Sequence, residues 1–292
     1  MTGFGSINPA VVFAYFLCVT VSGIFTLNPI ISVISLAGAL LLWAVLPVAK
    51  NKRTHIYPVL LTLFCAVGNP LFSHNGETVL LVINNNPITL QSTLYGLFIG
   101  IMLSAAVYWF SSFSLIVSSD KIIYTLGFIS QKAALVLTMA LRFVPLYIRK
   151  ARQINGTQKA LGLYKDETVI TRFRGGVRVF SVLKTNMIEK TIITSDSMAA
   201  RGYTGGKRSG YPLFKFTFKD AAFLAVTVFL TLLAAVPQAK GALDFNFYPH
   251  IDITFYGVSS VAAYTGYALL CLCPSVYEGS DRLKWHYLIS RI

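Results

Sequence analysis

The sequence predicts an all-α polytopic membrane protein with about six transmembrane helices and a cytoplasmic domain of long amphipathic helices. Hydrophobic residues make up 55% of the 292-residue chain and charged residues only 12%, whereas an ordinary soluble domain is about 25% charged. Long runs contain no Asp, Glu, Lys or Arg, and about 20 apolar residues are enough to cross a bilayer as a helix. The net charge of +14 is concentrated in one central segment. The charge-free runs are residues 1–49, 54–76, 78–119, 221–239 and 253–277.

The N-terminal membrane domain, residues 1–118, is predicted to contain about four spans. No basic region precedes the first apolar stretch, so we interpret that stretch as a retained span and not as a cleaved signal peptide. Asn28-Pro29 is a turn signal that divides the first charge-free run into two spans. The elements in order are spans near residues 8–26 and 30–48, a third span at about 56–72, a partly extended loop at 73–91 and a fourth span at about 92–117.

The central domain, residues 119–218, is predicted to be helical and strongly basic. It holds 17 Lys and Arg against five acids, and its apolar residues recur at the spacing of an amphipathic helix. Gly175-Gly176 is predicted to separate two long helices, at about residues 133–162 and 177–202.

The stretch 133–148 is apolar but is not expected to cross the membrane. Its apolar run stops at Arg142 after about nine residues, Pro145 kinks the helix beyond that point, and further basic residues come next. The C-terminal membrane helices, residues 219–292, are predicted to form two spans and a short tail. Those spans lie at about 221–239 and 253–273.

The distribution of basic residues predicts the orientation, because Lys and Arg of short loops tend to stay in the cytoplasm. With the N-terminus inside, 24 of the 25 Lys and Arg lie on or next to the cytoplasmic side, and only Lys240 lies outside. We therefore expect the N-terminus, the central domain and the C-terminus to be cytoplasmic.

The segment SMAARGYTGGKRSG, residues 197–210, superficially resembles a phosphate-binding loop. Such a loop needs Gly, four residues, Gly-Lys and then Ser or Thr, at a turn between a strand and a helix. Here Arg201 stands in the place of the first glycine, Arg208 replaces the hydroxyl residue, and a helix precedes the segment. We therefore expect no nucleotide and no other cofactor on this chain.

The Ala200-Arg201-Gly202 sequence leaves two interpretations open. Gly suits the left-handed position that ends a helix, and Arg in the last turn interacts favourably with the helix dipole. Alternatively, the small alanines allow the helix tip to enter a groove on a protein, where the guanidinium pairs with a carboxylate. The basic domain as a whole is also attracted to anionic lipid. Nucleic acid is not expected as a partner, because no nucleic-acid-binding module is present.

Two other functions have weaker support in the sequence. An integral membrane enzyme would need polar or metal-ligating groups within the membrane, but the four histidines are scattered without partners at ligand spacing. The four cysteines lie in apolar segments and are interpreted as small buried hydrophobes. An ordinary permease that binds substrate itself would need polar residues facing inward, and these spans carry only scattered Ser, Thr and Tyr. The residues concerned are His55, His74, His250, His286, Cys18, Cys65, Cys271 and Cys273.

Three stretches taken together resemble the transmembrane T component of energy-coupling factor (ECF) transporters. They are NGETVLLVINNNPITLQSTLYG at 75–96, ALRFVPLYIRKARQINGTQKALG at 140–162 and SMAARGYTGGKRSGYPLFKFTFKD at 197–220. The resemblance implies two long cytoplasmic coupling helices whose Ala-Arg-small tips insert into grooves on two ABC-type ATPase subunits. It also implies a small integral-membrane substrate-binding subunit, which the coupling helices move. The chain itself would then be no enzyme.

The resemblance assigns the second docking motif to Ala200, Arg201 and Gly202 and the first to Ala160, Leu161 and Gly162. Leu161 replaces the arginine that the family pattern expects. Docking at the first tip must then depend on apolar packing or on a neighbouring cation, and the two ATPases would be held unequally. The neighbouring cations are Arg152, Lys159 and Lys165.

The resemblance also suggests where the coupling helices bend and what their apolar face contacts. Pro145 beside Arg142, and the Gly175-Gly176 pair, are candidate sites of angular change, although they also suit a local kink and a turn. An apolar face could be a platform for the substrate-binding subunit or could serve mutual helix packing. The cargo in this family is a vitamin or a cobalt or nickel ion, and the lack of a metal-ligand cluster favours a vitamin-type or shared module. The platform residues are Leu141, Val144, Phe180, Leu183 and Met187, with Leu135 and Leu137.

Overall fold

The computed structural model describes most of the chain, and that part forms two compact units. Unit 1 comprises Met1–Ile122 and Phe214–Ile292, and unit 2 comprises Ile123–Leu213. The described residues are 3–46, 53–73, 76–83, 86–163, 168–203, 214–248, 252–253 and 257–289.

The described part of the chain is mainly helical, as predicted, with two short antiparallel hairpins. A 3-10 turn at Phe4–Ser6 precedes the first helix. The helices are α1 (Pro9–Ile24), α2 (Pro29–Val45), α3 (Arg53–Phe72), α4 (Leu90–Ile116), α5 (Ser119–Ile129), α6 (Gln131–Ala160), α7 (Val169–Ala200), α8 (Phe218–Ala239) and α9 (Val258–Ile289). The strands are β1 (Val79–Ile83), β2 (Asn86–Thr89), β3 (Phe245–Asn246) and β4 (Asp252–Ile253).

Each of the six predicted spans coincides with a helix of unit 1. Four of these helices, α3, α4, α8 and α9, are long and apolar enough to cross a membrane, whereas α1 and α2 are shorter apolar helices. Helix α6 of unit 2 also meets the criteria of length and composition. That α6 does not cross stays a prediction, based on the distribution of basic residues.

Helices α1 and α2 begin in the same way, at an Asn-Pro pair. The side chain of Asn8 accepts a hydrogen bond from the amide of Ala10 at 3.1 Å, and that of Asn28 accepts one from the amide of Ile30 at 3.0 Å. Proline suits the first helical position, because the amide it lacks has no partner there in any case. Asn28 also donates to the carbonyl of Leu243 at 3.0 Å, which joins the start of α2 to the connection between α8 and α9.

The N-terminal turn is held inside unit 1 by buried hydrogen bonds. The amide of Phe4 donates to Oε2 of Glu278 at 2.9 Å, so this almost fully buried carboxylate has a partner. The Nζ of Lys121 donates to the carbonyl oxygens of Gly5 at 2.8 Å and Ile116 at 3.1 Å. Burial of Lys121 lowers the pKa of its amine, because a charged group loses solvation there. Glu278 thereby joins the turn to α9, and Lys121 of α5 bridges the turn and the end of α4.

The predicted partly extended loop at 73–91 contains the hairpin of β1 and β2. The two strands pair antiparallel, with Val82 opposite Pro87 and Ile83 opposite Asn86. A second, shorter hairpin of β3 and β4 lies between α8 and α9, with Phe245 opposite Ile253.

The prediction that Gly175-Gly176 separates two helices is wrong. Helix α7 runs without interruption from Val169 to Ala200 through both glycines, and the break after α6 comes earlier, at Gly162. A glycine inside a helix costs only about 1 kcal/mol relative to alanine, which the 30 other residues of α7 can offset. Helix α5 was not predicted as a separate element.

Two glycines of α4 allow α3 and α4 to pack closely. A Cβ atom added to Gly96 would lie 2.5 Å from the carbonyl oxygen of Cys65, and one added to Gly100 would lie 2.8 Å from Cα of Thr62. Both neighbours are backbone atoms, which cannot move aside as a flexible side chain can. Small residues at such contacts are typical of membrane helix pairs.

Gly96→Ala is expected to lower the free energy of unfolding by about 1–3 kcal/mol, because overpacking a closely packed contact costs about that much. Gly68→Ala in α3 is the matched control, since a Cβ added to Gly68 has no heavy atom within 4 Å. The measurement is the thermal unfolding midpoint of the purified protein in detergent. Equal midpoints for the two variants would contradict the close contact.

Gly176→Ala is expected to stabilise α7 by about 0.5–1 kcal/mol, because alanine in a helix interior is favoured over glycine and the site has room. Slower amide hydrogen exchange in peptides around residue 176 would show it. Gly156→Ala in α6, where the site is equally open, should give a similar gain. If Gly176 were a flexible joint, its substitution would bring no such protection.

Candidate functional site

The candidate site consists of the two C-terminal ends of α6 and α7, which we call the α6 tip (158–163) and the α7 tip (198–203). At the α6 tip, Gly162 has a φ of +70°, in the left-handed region. Its amide donates to the carbonyl of Lys159 at 3.0 Å, and the amide of Leu163 donates to the carbonyl of Gln158 at 3.2 Å. These two bonds satisfy carbonyls that the end of a helix would otherwise leave unpaired, and together they are a Schellman cap.

The α7 tip repeats this geometry. Gly202 has a φ of +72° and donates from its amide to the carbonyl of Ala199 at 3.0 Å. The amide of Tyr203 donates to the carbonyl of Met198 at 2.9 Å. The residue before each glycine ends the helix with almost the same backbone, φ −76° at Leu161 and φ −82° at Arg201. The two tips therefore have nearly the same backbone conformation but carry different side chains.

The side chain at the corresponding position differs in chemistry and is exposed in both tips. Leu161 is 70% exposed, which is a large fraction for an apolar side chain. Arg201 is also exposed, and no carboxylate of the described residues forms an ion pair with it. The alanines before them, Ala160 and Ala200, are exposed as well. Within the described residues, these four side chains at the two tips are therefore exposed.

The same cap also ends α8, and the comparison shows what distinguishes the tips. Gly241 has a φ of +74°, and the amide of Ala242 donates to the carbonyl of Pro237 at 3.0 Å. After this cap the chain turns inward, because Ala242 and Leu243 are buried. After the two tips, Leu163 and Tyr203 are 44% exposed. The cap is thus shared by α6, α7 and α8, and the exposed residues after it distinguish α6 and α7 from α8.

Among the cations suggested as substitutes for the missing first arginine, the structure places Lys159 in the last turn of α6 and Arg152 two turns earlier. Both are exposed. Lys165 lies outside the described residues, as does the segment 204–213 with its Gly-Lys-Arg sequence.

The candidate bending and platform residues lie along α6 and α7. Pro145 lies inside α6 and has no amide to donate to the carbonyl of Leu141, and Arg142 is exposed in the same turn. Gly175 is buried and Gly176 has open space beside it. The platform side chains are mostly exposed: Leu141 41%, Val144 53%, Phe180 65% and Met187 36%, with Leu183 half-buried.

Sequence reasoning missed a cavity of about 600 Å³ between α6 and α7. It is lined by residues of both helices, including Tyr147, Lys150 and Lys190. The basic residues were visible in the sequence, but their meeting across two helices depends on the register between α6 and α7. No local sequence signal reports that register.

His55 of unit 1 is paired within the fold. Nδ1 of His55 lies 2.7 Å from the hydroxyl of Tyr108, and the ring of His55 packs edge-on against Trp43. The four cysteines are free thiols. In the part of the chain that the structure describes, no three His, Cys, Asp or Glu residues are grouped so that they could hold a metal ion.

Comparison with known proteins places the two tips in a family context. A family model described as a cobalt transport protein matches residues 6–212, which include both tips. The energy-coupling factor transporter transmembrane protein EcfT of Bacillus selenitireducens is 32% identical to the chain over 109 residues. This match covers 37% of the chain and 40% of the relative, so the chain spans less than half the length of that curated relative.

Gly202→Val is expected to fray the last turn of α7, because a β-branched residue in the left-handed region costs about 1–3 kcal/mol. Gly202→Asn is the matched control, since asparagine tolerates that region. Hydrogen exchange of the amides of 199–203 should accelerate in the valine variant and change little in the asparagine variant. Unchanged exchange in both would contradict the cap.

Proposed function

The chain belongs to the cobalt transport protein family, and we propose that it is the membrane-embedded coupling subunit of an energy-coupling factor importer. In this role two cytoplasmic ABC-type ATPase subunits dock on the chain, and a separate small membrane subunit binds the micronutrient. The chain performs no bond chemistry itself. The name of the EcfT relative, a transmembrane protein of such a transporter, supports the proposal.

The observation that carries the proposal is the pair of exposed tips with equal backbone geometry. Each tip ends a helix of 30 residues or more, and each presents one side chain from the residue before a left-handed glycine. Two ATPases need two docking points, and in this proposal the two caps hold them in the same backbone geometry. The alanine before each of these side chains leaves space for a groove wall on the partner.

The difference between Leu161 and Arg201 makes the two docking points unequal. Arg201 can pair with two carboxylate oxygens at once, and a hydrogen bond to a charged group contributes about 1.5–3 kcal/mol. Leu161 can contribute only apolar contact. Full burial of such a side chain contributes about 1.5–3 kcal/mol, but only where the partner's surface is also apolar. We propose that the ATPase at the α7 tip is held by charge pairing and the one at the α6 tip by apolar packing.

After the ATPases have docked, the proposed function also requires that their nucleotide-driven movement reach the substrate-binding subunit. Helices α6 and α7 present exposed apolar side chains, among them Val144, Phe173 and Phe180, the last two 74% and 65% exposed. Such a surface suits contact with a hydrophobic membrane subunit. We propose that nucleotide-driven movement of the tips is passed along α6 and α7 to that subunit, with the N-terminus, unit 2 and the C-terminus in the cytoplasm of a prokaryote.

The cargo is a property of the separate subunit in this proposal. Co-purification of the chain from its native membrane, together with mass spectrometry, identifies the partner subunits and any cargo bound to them. Two ABC ATPases and one small hydrophobic protein are the expected result. Ligand bound tightly to the chain alone would instead favour a permease that binds its own substrate.

Arg201→Ala is expected to reduce co-purification of the ATPases and transport by roughly tenfold or more, because about 1.5–3 kcal/mol of charged hydrogen bonding is lost. Leu161→Ala should cost less, since alanine keeps part of the apolar contact, whereas Arg201→Ala removes both hydrogen bonds of a bidentate charge pair. The measurement is a pull-down of each variant with the two ATPases, quantified against the unmodified chain.

Arg201→Lys is the matched control, because it keeps the charge but cannot pair with both oxygens of a carboxylate. It should give an intermediate loss. Leu161→Arg tests the other tip and should strengthen docking if its groove offers a carboxylate. Equal losses for Arg201→Ala and Leu161→Ala would count against the unequal docking.

A further inference from the structure

The cavity between α6 and α7 is built from matching stripes on the two helices. Leu146, Lys150 and Gln153 line it from α6, and Asn186, Lys190 and Ile193 line it from α7. Both sets have the spacing i, i+4, i+7, which places three side chains in a row along one face of a helix. Two lysines therefore occupy the middle of the two rows, with a long apolar side chain at one end of each.

The charges that line the cavity leave a positive excess. The cavity lining contains Arg149 in addition to the two lysines, and Glu189 is its carboxylate. Arg149, Lys150 and Lys190 form no ion pair with Glu189 or with another carboxylate of the described residues. Three positive charges against one negative charge leave an excess of two positive charges in the cavity lining.

A buried hydroxyl without a partner adds a neutral donor to this set. The Oη atom of Tyr147, which lines the same cavity, is buried and makes no hydrogen bond. A buried hydroxyl without a partner costs about 1–3 kcal/mol, so most such groups find one. An anion with several oxygens in the cavity would accept from Tyr147 and from the cations together.

We propose that this cavity binds a phosphate monoester. Such a group carries about −1.5 to −2 charge at neutral pH and three acceptor oxygens, which match the positive excess and the several donors. A carboxylate offers one charge and two oxygens, which is a poorer match. At about 600 Å³ the cavity is much larger than a phosphate. The apolar ends at Leu146 and Ile193 suit the carbon skeleton attached to it.

A phosphate monoester can come from a lipid headgroup or from a soluble metabolite, and three probes separate the two sources. Phosphatidic acid carries the phosphate and acyl chains, diacylglycerol carries the chains without the phosphate, and glycerol 3-phosphate carries the phosphate without the chains. The full chain is purified in a neutral detergent, and native mass spectrometry measures the fraction that retains one molecule of each probe.

Lys150→Gln combined with Lys190→Gln is expected to lower retention of the phosphate probes about tenfold or more, because two charge-assisted contacts are lost. The matched control is Lys184→Gln on α7, which removes the same kind of charge outside the cavity lining. Tyr147→Phe should lower retention about tenfold, as expected for one hydrogen bond to a charged group.

Glu189→Gln provides a gain-of-binding test that a misfolded variant could not pass. Removing the negative charge should raise retention about threefold. Retention of phosphatidic acid alone supports the proposal with a lipid source, and retention of glycerol 3-phosphate supports it with a soluble source. Equal retention of diacylglycerol and phosphatidic acid would overturn the proposal, as would retention that the cavity substitutions leave unchanged. The experiment uses no ATPase, so its outcome is independent of the docking proposed above.

Discussion

The fold of unit 1 depends on close backbone contact between helices, because moving an apolar side chain from lipid into a helix interface gains little free energy. Lipid is as apolar as leucine, so burying leucine against another helix does not specify a fold in a bilayer. Helix α3 illustrates this, since Phe64 and Phe72 are 73% and 89% exposed. Its position is specified by the approach of Gly96 and Gly100 to its backbone. The hydroxyl of Ser104 also donates to the carbonyl of Pro58 at 2.7 Å.

Buried polar groups provide the remaining specificity in this unit. Nε1 of Trp109 donates to Oγ of Ser35 at 3.1 Å, and the hydroxyl of Tyr15 donates to the carbonyl of Leu270 at 2.9 Å. Each bond links helices that are distant in sequence. An unpaired polar group in hydrocarbon is costly, so an arrangement that breaks these bonds is disfavoured even where its apolar packing is equally good. Asn28 serves the same purpose at the start of α2.

The sequence predicted the helices of unit 1 well and the contacts between helices poorly, for a physical reason. A membrane span is encoded locally, because it needs a continuous run of apolar residues without charge. Such a run can be recognised directly in the sequence. The left-handed glycines of the two tips are equally local, so their place at helix ends could be predicted. Gly175-Gly176 was misread because a glycine pair weakens a helix without ending it. The cavity at Lys150 and Lys190 depends on how two helices align, which no single segment encodes.

The continuity of α7 has a mechanical consequence. A helix of 32 residues is roughly 48 Å long at 1.5 Å per residue, and this one has no proline between Val169 and Ala200. A tilt of about 5° about its first turn would sweep its far end sideways by roughly 4 Å, about the diameter of a methyl group. Because packed surfaces switch between discrete fits and do not deform smoothly, a sweep of that size is enough to change which side chains interlock at the far end. In the proposed coupling role, an uninterrupted α7 would amplify a small rotation over its whole length, whereas a helix broken at Gly175-Gly176 would do so only over the segment beyond the break.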